Sequence, residues 1–491
     1  MIFTSIEFAI FCPIIFLFYW LVFNRFSIKI SNIFLIVAGY VFYGWWNWRI
    51  CFLLFGVTVV TWLCGYGMDY CRRTKPQCEE GSQCKNPVFG LNLLAILFCI
   101  GILGVFKYYD FFTSSFAALF TLFGQNIAVT RLGLILPVGI SFYIFQSLTY
   151  TIDIYKRKLE PTDDIIAYFA FMSFFPQLLS GPISRASRLI PQFEIRRKFN
   201  YDYVVGGFRL ILWGLFMKVC VADRLAIYVD TIYGNLAMHN GTSVALAAIF
   251  YSIQIYCDFA GYSYMAIGCG RLFGIGLDEN FHRPYFAGSV GDFWRRWHIS
   301  LSTWFRDYVY IPLGGNRVSR LRNYFNLFVT FLISGLWHGA AWTFVFWGGL
   351  HGIYQISDKI RKIFLPSLGI NQYLKQIFSI LITFVLVTVA WVFFRLPDID
   401  LAFHAIGKIV AEVGMPFIDK ATLGFGLLSL MGLVVVEIIS EYGLFQRAGF
   451  GIFGGGGYKR LIINYIGPIV LILWIVAAGV FDGGQFIYFQ F

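Results

Sequence analysis

Charge is what this chain has least of. Asp, Glu, Lys and Arg make up 13% of its 491 residues, where soluble globular proteins carry about 25%. So sparse a set cannot clothe a water-facing surface, which excludes a soluble fold. The apolar runs lack two-residue alternation, which argues against a transmembrane barrel. Internal repeats are missing too: the basic block at 281–323 has no counterpart in the first half. Acidic residues within apolar runs are few, Asp258 and Glu437 being the clearest. Both absences weigh against an ion-coupled transporter or a flippase built from duplicated halves. The ten cysteines form no CxxC pair. Cys71, Cys78 and Cys84 share one loop, but it holds no His and their spacing fits no common zinc pattern. No metal site is expected. The stretch Met1–Phe23 has neither a basic leading region nor a small-residue cleavage site, so it reads as a retained first helix.

What the chain does have is apolar length. Hydrophobic residues make up 58% of it and aromatic residues 20%, and the mean hydropathy is +0.70. About 20 helical residues cross a bilayer, and helices close their own backbone hydrogen bonds where lipid offers none. Candidate spans fall near 2–23, 31–46, 50–70, 88–106, 132–152, 204–222, 244–270, 374–394, 421–440 and 461–481. The net charge of +12 gathers in loops 24–30, 71–87, 155–160, 183–200, 281–323, 359–362 and 441–460. The positive-inside bias places these loops in the cytoplasm. Anionic headgroups account for such juxtamembrane clusters, so no nucleic-acid partner is expected. Two apolar stretches break the alternation. The 165–182 segment lies between two basic loops and should enter and leave on one side. The 324–358 segment should form a helical hairpin or a re-entrant pair. Irregular backbone at that depth must be covered by protein or line a water-filled cavity, so both belong in the core. The parity leaves both termini external.

Chemistry concentrates at 280–352. The block 281–323 holds seven Arg and two Asp. Residues Asp292 to His298 read as a helix that Ser302–Asp307 extends, with Pro312 and Gly314-Gly315 ending it. Its Trp and Arg residues suit either a membrane interface or a site. His338 then appears in an apolar run without Lys, Arg, Asp or Glu, and His351 follows thirteen residues later. An ionisable residue at membrane depth is a functional candidate, although a hydrogen-bonded core histidine would look the same. Small residues at 335, 339, 340 and 341 allow close approach, and Trp337, Trp342 and Trp347 can wall an apolar pocket. A histidine kept neutral there is suited to taking a proton from a hydroxyl.

The residues LPVGISFYIFQSLTYTIDIY at 136–155, FFPQLLSGPISR at 174–185, RRWHISLSTWFRDYVYIPLGG at 295–315, LWHGAAW at 336–342 and the tail FIYFQF at 486–491 together resemble the membrane-bound O-acyltransferase superfamily. The likeness is to its bacterial alginate O-acetyltransferase branch and extends over nearly the whole chain. It implies a single all-α polytopic membrane domain over 1–491, with 280–352 as catalytic core. It also implies about ten to twelve transmembrane helices plus re-entrant helices around a central tunnel, in a bacterial cytoplasmic membrane. His338 matches the family's catalytic histidine, and His298 its second histidine, which would orient the donor or stabilise an oxyanion. The donor would be acetyl-CoA or an acyl carrier thioester, its phosphates held by Arg295, Arg296 and Arg306 with Trp337 beside them, and no cofactor would stay bound. The acceptor would be a surface polysaccharide, reached directly or through a periplasmic SGNH-hydrolase-like partner. Enzymes moving D-alanine or a longer acyl group carry the same marks. The tail 482–491 is similar to the aromatic motif of a small D-alanylation partner, which implies that Tyr488 accepts the acyl group. An aromatic belt at the membrane interface remains the alternative for that tail.

Overall fold

The computed structural model describes residues 1–74, 87–179, 181–364, 371–443, 465–481 and 487. Tyr488 lies outside the described residues. Those described form helices and connecting segments without a strand, in two compact units. One unit comprises Met1–Phe208 with Ala266–Asp278, the other Arg209–Met265 with Glu279–Phe491. The chain passes between them within helices Tyr201–Phe216 and Gly241–Leu272, and again at 278–279.

Seven of the ten expected spans coincide with helices long and apolar enough to cross a membrane: Ile6–Arg25, Ile50–Thr74, Pro87–Leu122, Tyr201–Gly234, Gly241–Leu272, Gln372–Arg395 and Leu423–Glu441. The expected spans 31–46 and 461–481 contain shorter apolar helices, Ile28–Gly44 and Gly467–Ala478. The tenth, 132–152, needs correction. Its helix begins only at Ile140, runs to Tyr155, and buries 14 of its 16 residues within the protein. The reason is in its side chains. Ser141, Gln146, Ser147, Thr149, Thr151 and Asp153 are all buried along it, and polar groups at such density need protein partners rather than lipid.

In the first unit the described part of the 165–182 segment contains two short helices, Ile165–Ser173, buried from Ala167 onward apart from Phe169, and Phe175–Leu178, wholly buried. At about 1.5 Å per residue neither can traverse a hydrocarbon core of about 30 Å, as a re-entrant segment requires. Asp164 opens the first by accepting the N–H groups of Ile166 and Ala167 at 2.9 and 3.2 Å. Phe8, Phe11, Phe42 and Phe175 pack ring on ring at the centre of this unit. Elsewhere in this unit Arg197 lies against the rings of Tyr19 and Phe193, with only 7% of its surface exposed. Its guanidinium donates to Tyr19 Oη at 2.6 Å, Asn32 Oδ1 at 2.8 Å and the Gln192 carbonyl at 3.3 Å. This residue of a basic loop is therefore a structural cation.

In the second unit the 324–358 segment is a hairpin of helices Arg320–His338 and Trp342–Phe364, joined by three residues. Glycines set how closely the two approach. A Cβ on Gly335 would collide with the Phe344 carbonyl oxygen, and one on Gly348 with the Phe331 carbonyl oxygen. Close contact of this kind holds helices together where no water is expelled between them. Gly348→Ala should therefore lower stability by about 1–3 kcal/mol, seen as a reduced melting temperature in detergent. Gly349→Ala, whose Cβ would meet nothing nearer than Leu332 Cδ2 at 3.6 Å, should melt as the unaltered protein does.

Candidate active site

The second unit brings His298, Trp337, His338 and His351 into one aromatic chamber. Helix Val290–Arg296 is opened by Ser289, whose hydroxyl accepts the Asp292 N–H at 3.1 Å. The continuous helix expected from 292 to 307 does not form. Trp297 is extended, and His298 adopts left-handed backbone angles, φ 41° and ψ 55°. The helix resumes over Ile299–Phe305 and finishes in a π-helical turn, Arg306–Tyr310.

Residues 280–282 explain the break. The His282 N–H donates to the Arg296 carbonyl, and the Ile299 N–H to the Asn280 carbonyl, both at 2.9 Å. Backbone groups released by the interruption are thus satisfied. The Asn280 side-chain oxygen also accepts His298 Nδ1 at 3.0 Å, Ser300 Oγ at 2.8 Å and the Ser300 N–H at 3.3 Å. Asn280 Nδ2 donates onward to Ser263 Oγ at 3.2 Å. These bonds offset the cost of a strained non-glycine backbone, about 1–3 kcal/mol.

The same contacts set the histidine tautomers. A carbonyl oxygen only accepts, so His298 carries its proton on Nδ1 and leaves Nε2 as the basic nitrogen. His338, the last residue of its helix, donates from Nδ1 to the Ser334 carbonyl at 2.6 Å, again making Nε2 the base. His351 is the reverse: its Nδ1 accepts from Trp294 Nε1 at 3.2 Å, so its proton lies on Nε2. All three rings are buried. Trp337 links the first two, its ring centroid 6.1 Å from His298 and 5.0 Å from His338. Trp347 stands 4.8 Å from both His338 and His351.

Beside this chamber lies a largely apolar cavity of about 430 Å³, whose lining includes Trp294, Arg295, Ser302, Arg306, Tyr310 and Ser334. Two of its lining residues meet the histidines, since Ser334 holds His338 and Trp294 holds His351. The guanidinium ends of Arg295 and Arg306 are largely exposed. Arg296, grouped with them on sequence grounds, does not line the cavity. It bonds Asp292 Oδ2 at 3.1 Å and Glu441 Oε1 at 2.8 Å, while Arg283 takes the other Glu441 oxygen at 2.5 Å. Sequence reasoning passed over Asn280, Ser334 and His351 in these roles. Only His351 carried a signal, as an ionisable group in an apolar run. An asparagine side chain and a backbone carbonyl give none until the chain is folded.

Two histidines held as bases in a membrane-embedded unit, beside an apolar cavity with arginines, form an arrangement suited to acyl transfer. The profile of the membrane-bound O-acyltransferase family (MBOAT) matches residues 37–396. The chain belongs to that family. It is 37% identical over 449 residues to the "Probable alginate O-acetylase AlgI" of Pseudomonas syringae pv. tomato, covering 90% of this chain and 80% of that protein. It is 34% identical over 415 residues to the "Peptidoglycan O-acetyltransferase" of Helicobacter pylori, covering 78% and 74%. The "Teichoic acid D-alanyltransferase" of Bacillus subtilis matches at 30% over 271 residues, half of this chain and 65% of that one. The protein is a multi-pass membrane O-acyltransferase.

The arginines of this MBOAT enzyme separate by role in a stability experiment. Arg296→Ala removes a half-buried bridge between Asp292 and Glu441 and should cost about 1–2 kcal/mol, between the values for exposed and buried pairs. Arg295→Ala should stay within about 0.5 kcal/mol, as exposed positions do. Thermal unfolding of the two variants in the same detergent checks both.

Proposed function

We propose that this enzyme takes an acetyl group from a thioester on the cytoplasmic side of a bacterial inner membrane. The group passes outward to a hydroxyl of a cell-surface polysaccharide, directly or through a periplasmic SGNH-hydrolase-like partner. The observation that carries this reading is Ser334, which lines the cavity and fixes the basic nitrogen of His338. Acetyl is favoured over D-alanyl because the relatives named for O-acetylation match over most of the chain, and the D-alanyl relative over half.

In this scheme the cavity receives the arm of the thioester, acetyl-CoA or an acyl carrier. Arg295 and Arg306 bind its phosphates, a task that guanidinium performs through paired hydrogen bonds. Trp337 packs between the histidines and shapes the acyl end of the path. His338 Nε2 removes the proton from the accepting hydroxyl, whose oxygen attacks the thioester carbonyl. The C–S bond breaks, the thiolate leaves, and the proton on His338 returns to the sulfur. His298, its proton held on Nδ1 by Asn280, orients the donor. The first accepting hydroxyl is that of Tyr488, which carries the group to the outer face, where both termini lie, before it passes to the polysaccharide.

His338→Ala should lower thioester cleavage by purified protein about 10²–10⁴-fold, with membrane insertion and melting temperature retained. Transfer at the original rate would refute the role. Arg295→Ala combined with Arg306→Ala should raise KM for the donor and leave kcat largely intact. Removal of residues 486–491 should abolish O-acetylation of surface polysaccharide. Full acetylation by a stably expressed truncation would remove Tyr488 from the path.

A further inference from the structure

Helix Tyr201–Phe216 does not continue regularly into Asp223–Gly234. Residues Met217–Ala222 between them widen into a π-helix, a form that recurs at functional sites. It contains Lys218, which is 3% exposed. The Lys218 ammonium lies 2.7 Å from Asp223 Oδ1 and 2.7 Å from Asp258 Oδ1. One buried ammonium is therefore shared between two buried carboxyl groups. Ionisable groups so deep in a membrane protein are costly and call for a function, and none of the three has a part in the transfer chemistry above.

The second oxygen of Asp258 points to one. It accepts the backbone N–H of Ile487 at 2.8 Å, and Ile487 is itself buried, with 6% of its surface exposed. The same π-helical region holds the chain just before this point. The Val219 carbonyl accepts the Val480 N–H at 3.0 Å, and Arg224 Nη2 donates to the Ala478 carbonyl at 2.5 Å. Helix Gly241–Leu272, which carries Asp258, also walls the chamber. Its Phe259 meets the His298 ring edge-on at 4.6 Å, and its Ser263 accepts from Asn280.

We infer that Asp258, backed by Lys218 and Asp223, is a positioning residue that seats Ile487 by gripping its backbone amide, on the helix that also walls the His298 chamber. The grip reads backbone, so it fixes the chain at residue 487 while tolerating a change of side chain there. The seat rests on the geometry alone. Its catalytic meaning rests on the proposed part of Tyr488 in transfer.

Amide hydrogen exchange of the C-terminal peptide containing Val480 and Ile487, in the full-length protein, reads the seat directly. Asp258→Ala leaves Lys218 paired with Asp223, so the buried ammonium keeps a counter-ion. It should speed exchange by about tenfold or more, as loss of a hydrogen bond to a charged group implies, and lower transfer by a similar factor. Asp223→Asn alters the same cluster without touching the amide contact and should leave exchange near its original rate. Ile487→Pro deletes the donor without altering the buried ions and should reproduce the loss of transfer, whereas Ile487→Val should not. Unaltered exchange in Asp258→Ala, or equal acceleration by Asp223→Asn, would overturn the seat. Faster exchange with undiminished transfer would establish the seat and refute the tail's part in the reaction.

Discussion

The side-chain oxygen of Asn280 is the contact on which the candidate site depends. It gathers a ring nitrogen, a hydroxyl and a backbone N–H from residues 298–300. A helix continued through Trp297 and His298 would commit those backbone groups to its own ladder and carry the imidazole elsewhere. The break lets two short helices meet at His298, and segment 280–282 covers the exposed backbone. Position, tautomer and strain at His298 thus have one common cause. A polar group that accepts three donors in a buried site rigidifies it, because leaving any of them unmade is expensive there.

The tautomers form a second layer of order. His298 and His338 each spend Nδ1 on an oxygen acceptor, whereas His351 spends it on an indole donor. Two rings are thereby prepared to take a proton and one to give a hydrogen bond. The partners that decide this are a side-chain amide, a main-chain carbonyl and a tryptophan, none of them ionisable. Burial among Trp337, Trp347 and Phe394 keeps water from competing for the His338 ring.

Buried charge follows a consistent rule in both units, each considered by itself. In the first, Arg197 spreads its donors over a tyrosine, an asparagine and a carbonyl. In the second, Lys218 is shared by two aspartates, one of which holds the amide of Ile487. Arg296 and Arg283 converge on Glu441. Each cation lies in a stretch that loop-charge counting assigns to a surface or an apolar span, and each has at least one partner distant in sequence.

Low charge and long apolar runs determined a helical membrane protein by themselves, because a bilayer admits few alternatives for unpaired backbone. Seven spans were legible for that reason, as were the covered segment at 165–182 and the hairpin at 324–358, where charge parity failed. The motifs around His298 and His338 were legible as residues. The sequence was misleading where local pattern competes with distant partners. The helix Ile140–Tyr155 looks apolar enough to cross lipid, yet its polar residues are buried in protein. The stretch 292–307 has the composition of one helix, yet Asn280 breaks it. Only the tertiary structure decided which nitrogen of each histidine is basic and which arginines line the cavity. It alone showed that Asp258 holds a backbone amide 229 residues away. Those outcomes depend on hydrogen-bond partners brought together by folding, and spacing along the chain carries no record of them.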